Sequence, residues 1–524
     1  MTTRSERRDL LLVVVGACFL IVMMDNTILN VALQAIQRDL LANNSQLQWA
    51  VDSYILVYAS LMFTAGVIAD RWGRRRTLAV GLAVFAVASA FSAFADSPDS
   101  LILWRAVMGV GGAVVPPTTL AIIKHAVPEE EQGRAMGVWA ALGGLSVAFG
   151  PILGGALLER FWWGSVFLIN VPVAIACLVL LFVVARESRS ASRFHLDLPG
   201  LLLSTAAIAA VVYGVIRAGE DNDWFAPASA GMIALGIVLA VVLVVVERRT
   251  AHPVLDVSLF RSAPFAGGTT AVALAFFALT GGTFLLVFYV QLVLGHTPLQ
   301  LGLILLPVAV GSVLSAVTSA GVVKRYGFRL TVSLGLALLA VSFGGLLFAT
   351  ATSPLWQLEV SLFVAGLGMG FVMGATTTLA MSAVPTQKAG VGGAVNNTVR
   401  QVGAALGVAV LGSVLSMAYR SRAADVLDVL PDPQRERAGD SLGATLLVLS
   451  EARPAGGSSG ADKLVLVDKA KEAFVGAMHV TLGVGIGVLL FGALIALVWV
   501  PSRLAPSPVR DDLLADTALS GETR

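Results

Sequence analysis

The sequence predicts an all-α integral membrane protein with about fourteen transmembrane helices. Three observations carry this reading. Of its 524 residues, 57% are apolar and only 13% charged, with a mean hydropathy of +0.84, whereas soluble domains carry about a quarter charged residues. The apolar residues gather in runs of about 20, the length that crosses a hydrocarbon core as a helix. The short connections between runs also alternate in charge, one set rich in arginine and lysine and the other nearly free of them.

The runs lie at about 10–32, 47–68, 77–95, 100–123, 135–158, 164–184, 198–217, 227–246, 266–293, 299–321, 329–350, 355–382, 388–417 and 474–500. Arg4, Arg7 and Arg8 precede the first run, as in a signal peptide. That run is too long for an h-region and no small-residue cleavage site ends it, so it reads as a retained span. On one side the connections hold Arg71, Arg74, Arg75, Arg76, Lys124, Arg134, Arg186, Arg189, Arg193, Arg248, Arg249, Arg261, Lys324, Arg325, Arg329 and Lys388. The opposite short loops offer Arg38, Arg160 and Arg217. Basic short loops resist translocation, and an even number of spans returns the chain to its starting side, so both termini are expected in the cytoplasm. Cys18 and Cys177 fall inside spans and read as free thiols. Trp49, Trp104, Trp162, Trp163 and Trp356 stand near span ends, as interfacial belts require. The polar stretch 419–473 contains Pro431, Pro433, Pro454 and a GGSSG tract. It is expected outside, as disorder or small local helices, with a mobile flap over the outer mouth as the alternative.

The stretch Gly66–Leu78, GVIADRWGRRRTL, joins the second and third runs. Arg74, Arg75 and Arg76 suit a positive-inside anchor. Asp70 at a helix end, with Arg71 beside it and Gly66 and Gly73 seven residues apart, suits a tight turn that latches a neighbouring helix by charge and dipole. The stretch recurs weakly as AGVVKRYGFR, Ala320–Arg329, after the tenth run. With Gly327 laid on Gly73, Lys324 replaces the aspartate, so the second copy is expected to keep the turn and lose the latch.

Charges inside the runs are costly and normally face a partner or a water-filled cavity. Asp25, in MMDNTILNVAL, lies about 10 Å short of the outer end of the first run at 1.5 Å per residue. Asp52, in WAVDSYILVY, and Arg105, in LILWRAVMGVGGA, lie at comparable depths in the second and fourth. All three can therefore meet. One reading is a buried salt bridge that fixes helix packing. The other is proton coupling, since an apolar cavity raises a carboxyl pKa and a nearby arginine lowers it. A site dry in one conformation and paired in another then loads and releases a proton, with Asn26, Asn30 and Tyr54 beside it. Arg400, in GGAVNNTVRQVGAALG, lies about 18 Å from the inner end of its run. It is expected to pair with Asp25 or Glu359 or to meet substrate. The glycines at Gly366–Gly370 and Gly483–Gly487 lie in apolar runs with no strand before them, so they are not nucleotide loops. No P-loop and no metal-spaced His/Cys/carboxylate cluster occurs. His479, alone near the outer end of the last run, reads as a structural donor.

The turn resembles the loop between the second and third helices of the major facilitator superfamily, where it gates alternating access. GGLSVAFGPILGGAL, Gly143–Leu157, resembles the fifth-helix signature of that superfamily's drug exporters, through Gly150, Pro151, Gly154 and Gly155. Arg105 with Gly109 and Gly112 resembles its fourth-helix arginine motif. QWAVDSYILV, VVPPTTLAIIK, GPILGGALLERFWWGSVFLINVP and VLDVSLF are similar to the fourteen-helix drug:proton antiporters, the quaternary-ammonium exporter branch. The resemblance implies two six-helix bundles with two inserted helices. The boundaries are then 1–185, 186–262 for the inserted pair, 263–500 for the second bundle, and 501–524 for a cytoplasmic tail. It implies a proton-driven exporter of lipophilic drugs, antibiotics or biocides in a bacterial cytoplasmic membrane. No cofactor beyond the proton gradient, no metal, no nucleic acid and no enzymatic activity are expected, and the protein is expected to be a monomer. Export of one endogenous metabolite or lipid is the alternative. A membrane-embedded enzyme or sensor using Asp25 and Asp52 is a third reading, without a nucleophile to support it. The chain departs from the branch in its acids: Ser312 stands in the tenth run, and Asn396, Asn397, Arg400 and Gln401 in the thirteenth, where carboxylates serve dications.

Overall fold

A computed structural model describes residues 4–189, 197–250, 257–382, 389–428, 430–451 and 460–503. Among these residues there is no strand. The first six spans form α1 (Arg4–Leu40), α2 (Asn44–Trp72), α3 (Arg74–Ala93), α4 (Pro98–Ala126), α5 (Glu129–Leu158) and α6 (Ser165–Val184). The inserted pair is α7 (Leu198–Asp221) and α8 (Pro227–Glu247). The second bundle opens with α9 (Ala263–Phe288), which ends in a π-helical turn. The segment Pro298–Leu346 breaks at Gly327 into α10 and α11. It is followed by α12 (Leu355–Ser382), α13 (Ala389–Leu427) and α14 (Gly460–Trp499). Among the described residues eleven segments are long and apolar enough to cross a membrane alone, or twelve with the bent α2. Dividing one of them at Gly327 and adding α5 places a helix on every expected run.

Local chemistry starts these helices. Asn43 and Gln46 form a capping box at α2, and Thr297 and Gln300 form another at α10, with Pro298 in the first turn. Ser97 caps α4 ahead of Pro98, and Asp197 accepts from Gly200 N at 2.9 Å to open α7. Such side chains satisfy amides that have no partner inside the helix.

The internal repeat is more extensive than the short match that announces it. Gly73 and Gly327 both take positive φ, +117° and +82°. The next amide donates to a late carbonyl in each copy, Arg74 to Ser188 and Phe328 to Ser502, both at 3.0 Å. Four residues after each glycine, Thr77 and Thr331 bond back to it at 2.8 Å. Farther along, a Cβ on Gly111 would lie 2.6 Å from the Gly81 carbonyl, and one on Gly368 would lie 2.5 Å from that of Gly335. The α3–α4 and α11–α12 pairs therefore pack through the same glycine contacts. Gly366, Gly368 and Gly370 are packing positions on α12, set against Val308, Gly335 and Ser312.

We call the end with the Gly73 and Gly327 turns the turn face and the opposite end the far face. At the far face the stretch after α13 is folded. Two short helices, Asp432–Gly439 and Leu442–Glu451, form a cap. Tyr419 meets Thr445 at 2.7 Å, Gln37 of α1 donates to Ser441 at 2.9 Å, and Arg420 reaches Asp440 and the Glu220 carbonyl at 2.9 and 2.7 Å. The GGSSG tract and Pro454 lie outside or at the edge of the described residues, as do Lys388, Arg193 and most of the 501–524 tail. The inserted pair hangs on α13 through α7, where Ser413 donates to the Val215 carbonyl at 3.0 Å. Helix α8 shows Leu235, Ile237, Val238, Val241 and Val242 to the outside, an apolar surface that suits lipid. Trp163 is turned inward against Phe167, unlike exposed Trp162 and Trp356.

Candidate functional site

The centre of the first bundle is a buried charge cluster. Asp25 and Arg105 are 0% and 1% exposed and form an ion pair through Oδ2 and Nη1. Asn170 of α6 donates to Asp25 Oδ1 at 3.0 Å and to Ser89 Oγ at 3.1 Å. Arg105 Nε donates to the Ala50 carbonyl at 3.1 Å, and its guanidinium lies 4.4 Å from the Tyr54 ring centroid and 5.8 Å from that of Phe167. Every member of the pair is thus satisfied, the condition under which two charges can be held out of water. Tyr54 belongs to this cluster, fully buried under Arg105. It is not placed on a cavity wall.

Asp52 does not join it. Its carboxylate is buried and neither oxygen has a hydrogen-bond partner. The reason is angular. Residues two apart on an α-helix point about 200° from one another, so a helix that turns Tyr54 toward Arg105 turns Asp52 away. Similar depth in the membrane was insufficient for contact.

The fifth-helix motif links the cluster to the second bundle. A Cβ on Gly150 would come within 2.0 Å of Thr27 Oγ1, and one on Gly154 within 2.7 Å of Ile28, so α5 lies directly on the α1 segment after Asp25. On its other side Gly155 lies against Leu299, and Gly302 of α10 sits against the Pro151 carbonyl, with would-be Cβ contacts of 2.4 and 2.5 Å. Only glycine allows backbones this close.

At the turn face Asp70 accepts from Arg74 at 2.8 Å, and Arg74 also reaches the Ala121 carbonyl of α4 at 3.3 Å. The latch on a neighbouring helix therefore runs through Arg74, with Asp70 holding it, and Arg71 is exposed. Gly66 packs on Pro117. Glu187 is the residue that sequence reasoning missed here. It accepts from the amides of Arg75 and Arg76 at 3.1 and 3.3 Å, closing the start of α3. Asn170 was missed likewise, although one polar residue in the apolar FLINVP was a visible signal.

Between the bundles, Asn26 and Asn30 bond backwards along α1, with Asn30 Oδ1 unpartnered. The Ser312 backbone packs on Gly366 and Gly370. On α13, Asn397 touches Met62 Sδ at 2.7 Å and Thr398 donates to the Ala59 carbonyl at 3.4 Å, both across to α2. Gln401 is buried. Arg400 makes neither of its expected pairings. Asp25 is taken by Arg105, Glu359 is exposed, and Arg400 instead lies 5.0 Å over the Phe276 ring with its Nε unpartnered. His479 Nε2 donates to the Ala349 carbonyl at 2.9 Å, a structural contact, and Cys18 and Cys177 are free and buried. Among the described residues no group of three His, Cys, Asp or Glu could hold a metal ion.

Residues 15–408 match the model of the Major Facilitator Superfamily. The chain belongs to that superfamily. It is therefore a multi-pass membrane transporter and not an enzyme. Among its major facilitator relatives is the tetracenomycin C resistance and export protein of Streptomyces glaucescens, 33% identical over 93% of this chain and 90% of that protein. The multidrug efflux pump LfrA of Mycolicibacterium smegmatis is 35% identical over 90% and 92%. The methyl viologen resistance protein SmvA of Salmonella typhimurium is 32% identical over 92% and 96%.

Proposed function

We propose that this transporter exports lipophilic drugs, antibiotics or biocides in exchange for protons, by alternating access across a bacterial cytoplasmic membrane. The observation that carries the reading is the buried Asp25–Arg105–Asn170 cluster placed against the α1–α5 seam. A proton on Asp25 cancels the charge that holds Arg105. Arg105 keeps the Ala50 carbonyl and the Tyr54 face, and the α1 segment at Thr27 and Ile28 is freed to shift against Gly150 and Gly154. Those glycines adjoin Gly155, which rests on the second bundle, so a change of charge at one carboxylate biases how the two bundles meet.

The conformation supports the direction of export. Of the hydrogen bonds between bundles, those from Gln291 to the Val31 carbonyl, Asn44 to Gly412 and Thr297 to Glu159 lie toward the far face, while Asn397 to Met62 and Thr398 to the Ala59 carbonyl lie farther in. Asp70 and Arg74 make their polar contacts within the first bundle. These contacts support a conformation open toward the turn face, the side that the arginine count favours for the cytoplasm and for both termini. The relatives are named for chemically unlike compounds, which supports a broad range of amphipathic substrates over a single metabolite. The protein works as a monomer in the bilayer, with the proton gradient as its only energy source. Expression in an efflux-deficient host challenged with a panel of toxic amphipaths is the test. Protection that a protonophore abolishes is expected; protection unaffected by a protonophore, or none across the panel, would overturn the reading.

A further inference from the structure

Among the described residues Arg400 is a charge without a counter-charge. It lies at the seam where α13 faces α2, and a buried unpaired ion costs several kcal/mol unless something else meets it. The ring of Phe276 covers one side of the guanidinium. One further donor nearby is also unsatisfied. The hydroxyl of Tyr58, on α2 across the seam, is buried without a hydrogen-bond partner, and it lies within electrostatic reach of Arg400. The Arg400 side chain as a whole is only partly buried, although its Nε and the Tyr58 hydroxyl are covered. Asp52 does not neutralise it: six residues before Tyr58, it stands about 9 Å away along α2 and points to another side.

A guanidinium N–H and a phenol O–H that both lack partners are donors, and they match one kind of ligand atom. They suit the oxygens of an acid, because charge-assisted bonds to Arg are strong and the guanidinium fork fits two oxygens at once. We infer that Arg400 and Tyr58 form an anion anchor, and that this transporter takes amphipaths bearing one acidic group, such as a carboxylate, sulfonate or ionised phenol, with their ring system beside Phe276. The inference rests on the reading of the chain as an exporter of amphipaths, and it names the charge that the substrate carries.

The test is binding, which needs no transport. Purified protein in phosphatidylcholine nanodiscs is titrated with 1-anilinonaphthalene-8-sulfonate and with N-phenyl-1-naphthylamine, the same ring system without the acid, and empty discs are subtracted. Arg400→Gln is expected to weaken the sulfonate by about tenfold or more, the scale of a charged hydrogen bond, and to leave the neutral compound within about twofold. Arg400→Lys retains part of the difference. Tyr58→Phe, which keeps the buried charge, weakens the sulfonate several-fold and serves where Arg400→Gln does not fold. Equal changes for both compounds, or none for the sulfonate, would overturn the anchor. Loss of the sulfonate preference in a protein that gives no protonophore-sensitive protection would support the anchor and sink the export reading alone.

Discussion

Asp25→Asn keeps the shape and the hydrogen-bonding reach of the side chain and removes its charge. Arg105 then remains 1% exposed with no counter-ion. Removing one partner of a buried pair costs about 3–5 kcal/mol. Arg105 keeps its 3.1 Å bond to the Ala50 carbonyl and its place 4.4 Å over Tyr54. A desolvated cation–π contact is worth up to about 2 kcal/mol, which puts the expected loss near the lower bound, ~3 kcal/mol or roughly a hundredfold in the folding equilibrium. Arg105→Gln should lose a similar amount by stranding Asp25, even with Asn170 still donating. The double variant strands neither charge. Chemical denaturation in detergent of the two single variants and the double should therefore give a coupling of about 2 kcal/mol. Additive losses would refute the claim that the pair is energetically one unit.

Three further outcomes follow from the same geometry. Gly73→Ala places a Cβ at φ +117° and 2.6 Å from Glu187 Oε1, and should cost about 1–2 kcal/mol in denaturation experiments; Gly321→Ala, with nothing within 4 Å, is the matched control and should cost little. Asp70→Ala releases Arg74 from its 2.8 Å partner and should shift the balance between conformations open to the two faces, seen as reciprocal changes in labelling of cysteines placed at the two mouths; identical labelling in variant and parent would remove the latch. A bis-quaternary compound such as methyl viologen should be exported less well than a matched mono-quaternary one, because Arg400 adds an unpaired positive charge at the seam between the bundles and Ser312 and Asn397 supply no compensating acid. The relative named for methyl viologen resistance makes this a sharp comparison, and efficient export of the dication, unchanged in Arg400→Gln, would contradict it.

The helices were legible because apolar length is a local property, and the fourteen runs each carry a helix. The Gly73–Gly327 repeat was legible because a positive-φ turn demands glycine wherever it occurs. The Asp25–Arg105 pair could be read from depth alone, since two charges at one level in hydrocarbon seek each other. Asp52 could not be placed that way, because its contacts depend on the rotation of α2, which Tyr54 and Arg105 decide. Arg400 was assigned a partner on the same principle and has none. Asn170 and Glu187 act through hydrogen bonds to distant segments; the lone polar residue in FLINVP marked Asn170 but not its partners, and no local pattern announces those of Glu187. The stretch after α13 reads as a loop from its prolines, yet Leu442, Val448 and Ala438 are buried, and that small apolar core is what folds it into a cap.

The central claim is that Asp25 couples export to proton movement. The direct measurement is uphill accumulation, in everted vesicles with an imposed pH gradient, of a compound from the protected panel. The parent should concentrate it and lose it on adding a protonophore. Asp25→Asn, present in the membrane at a comparable level, should only equilibrate it. Undiminished uphill accumulation by Asp25→Asn would contradict the account.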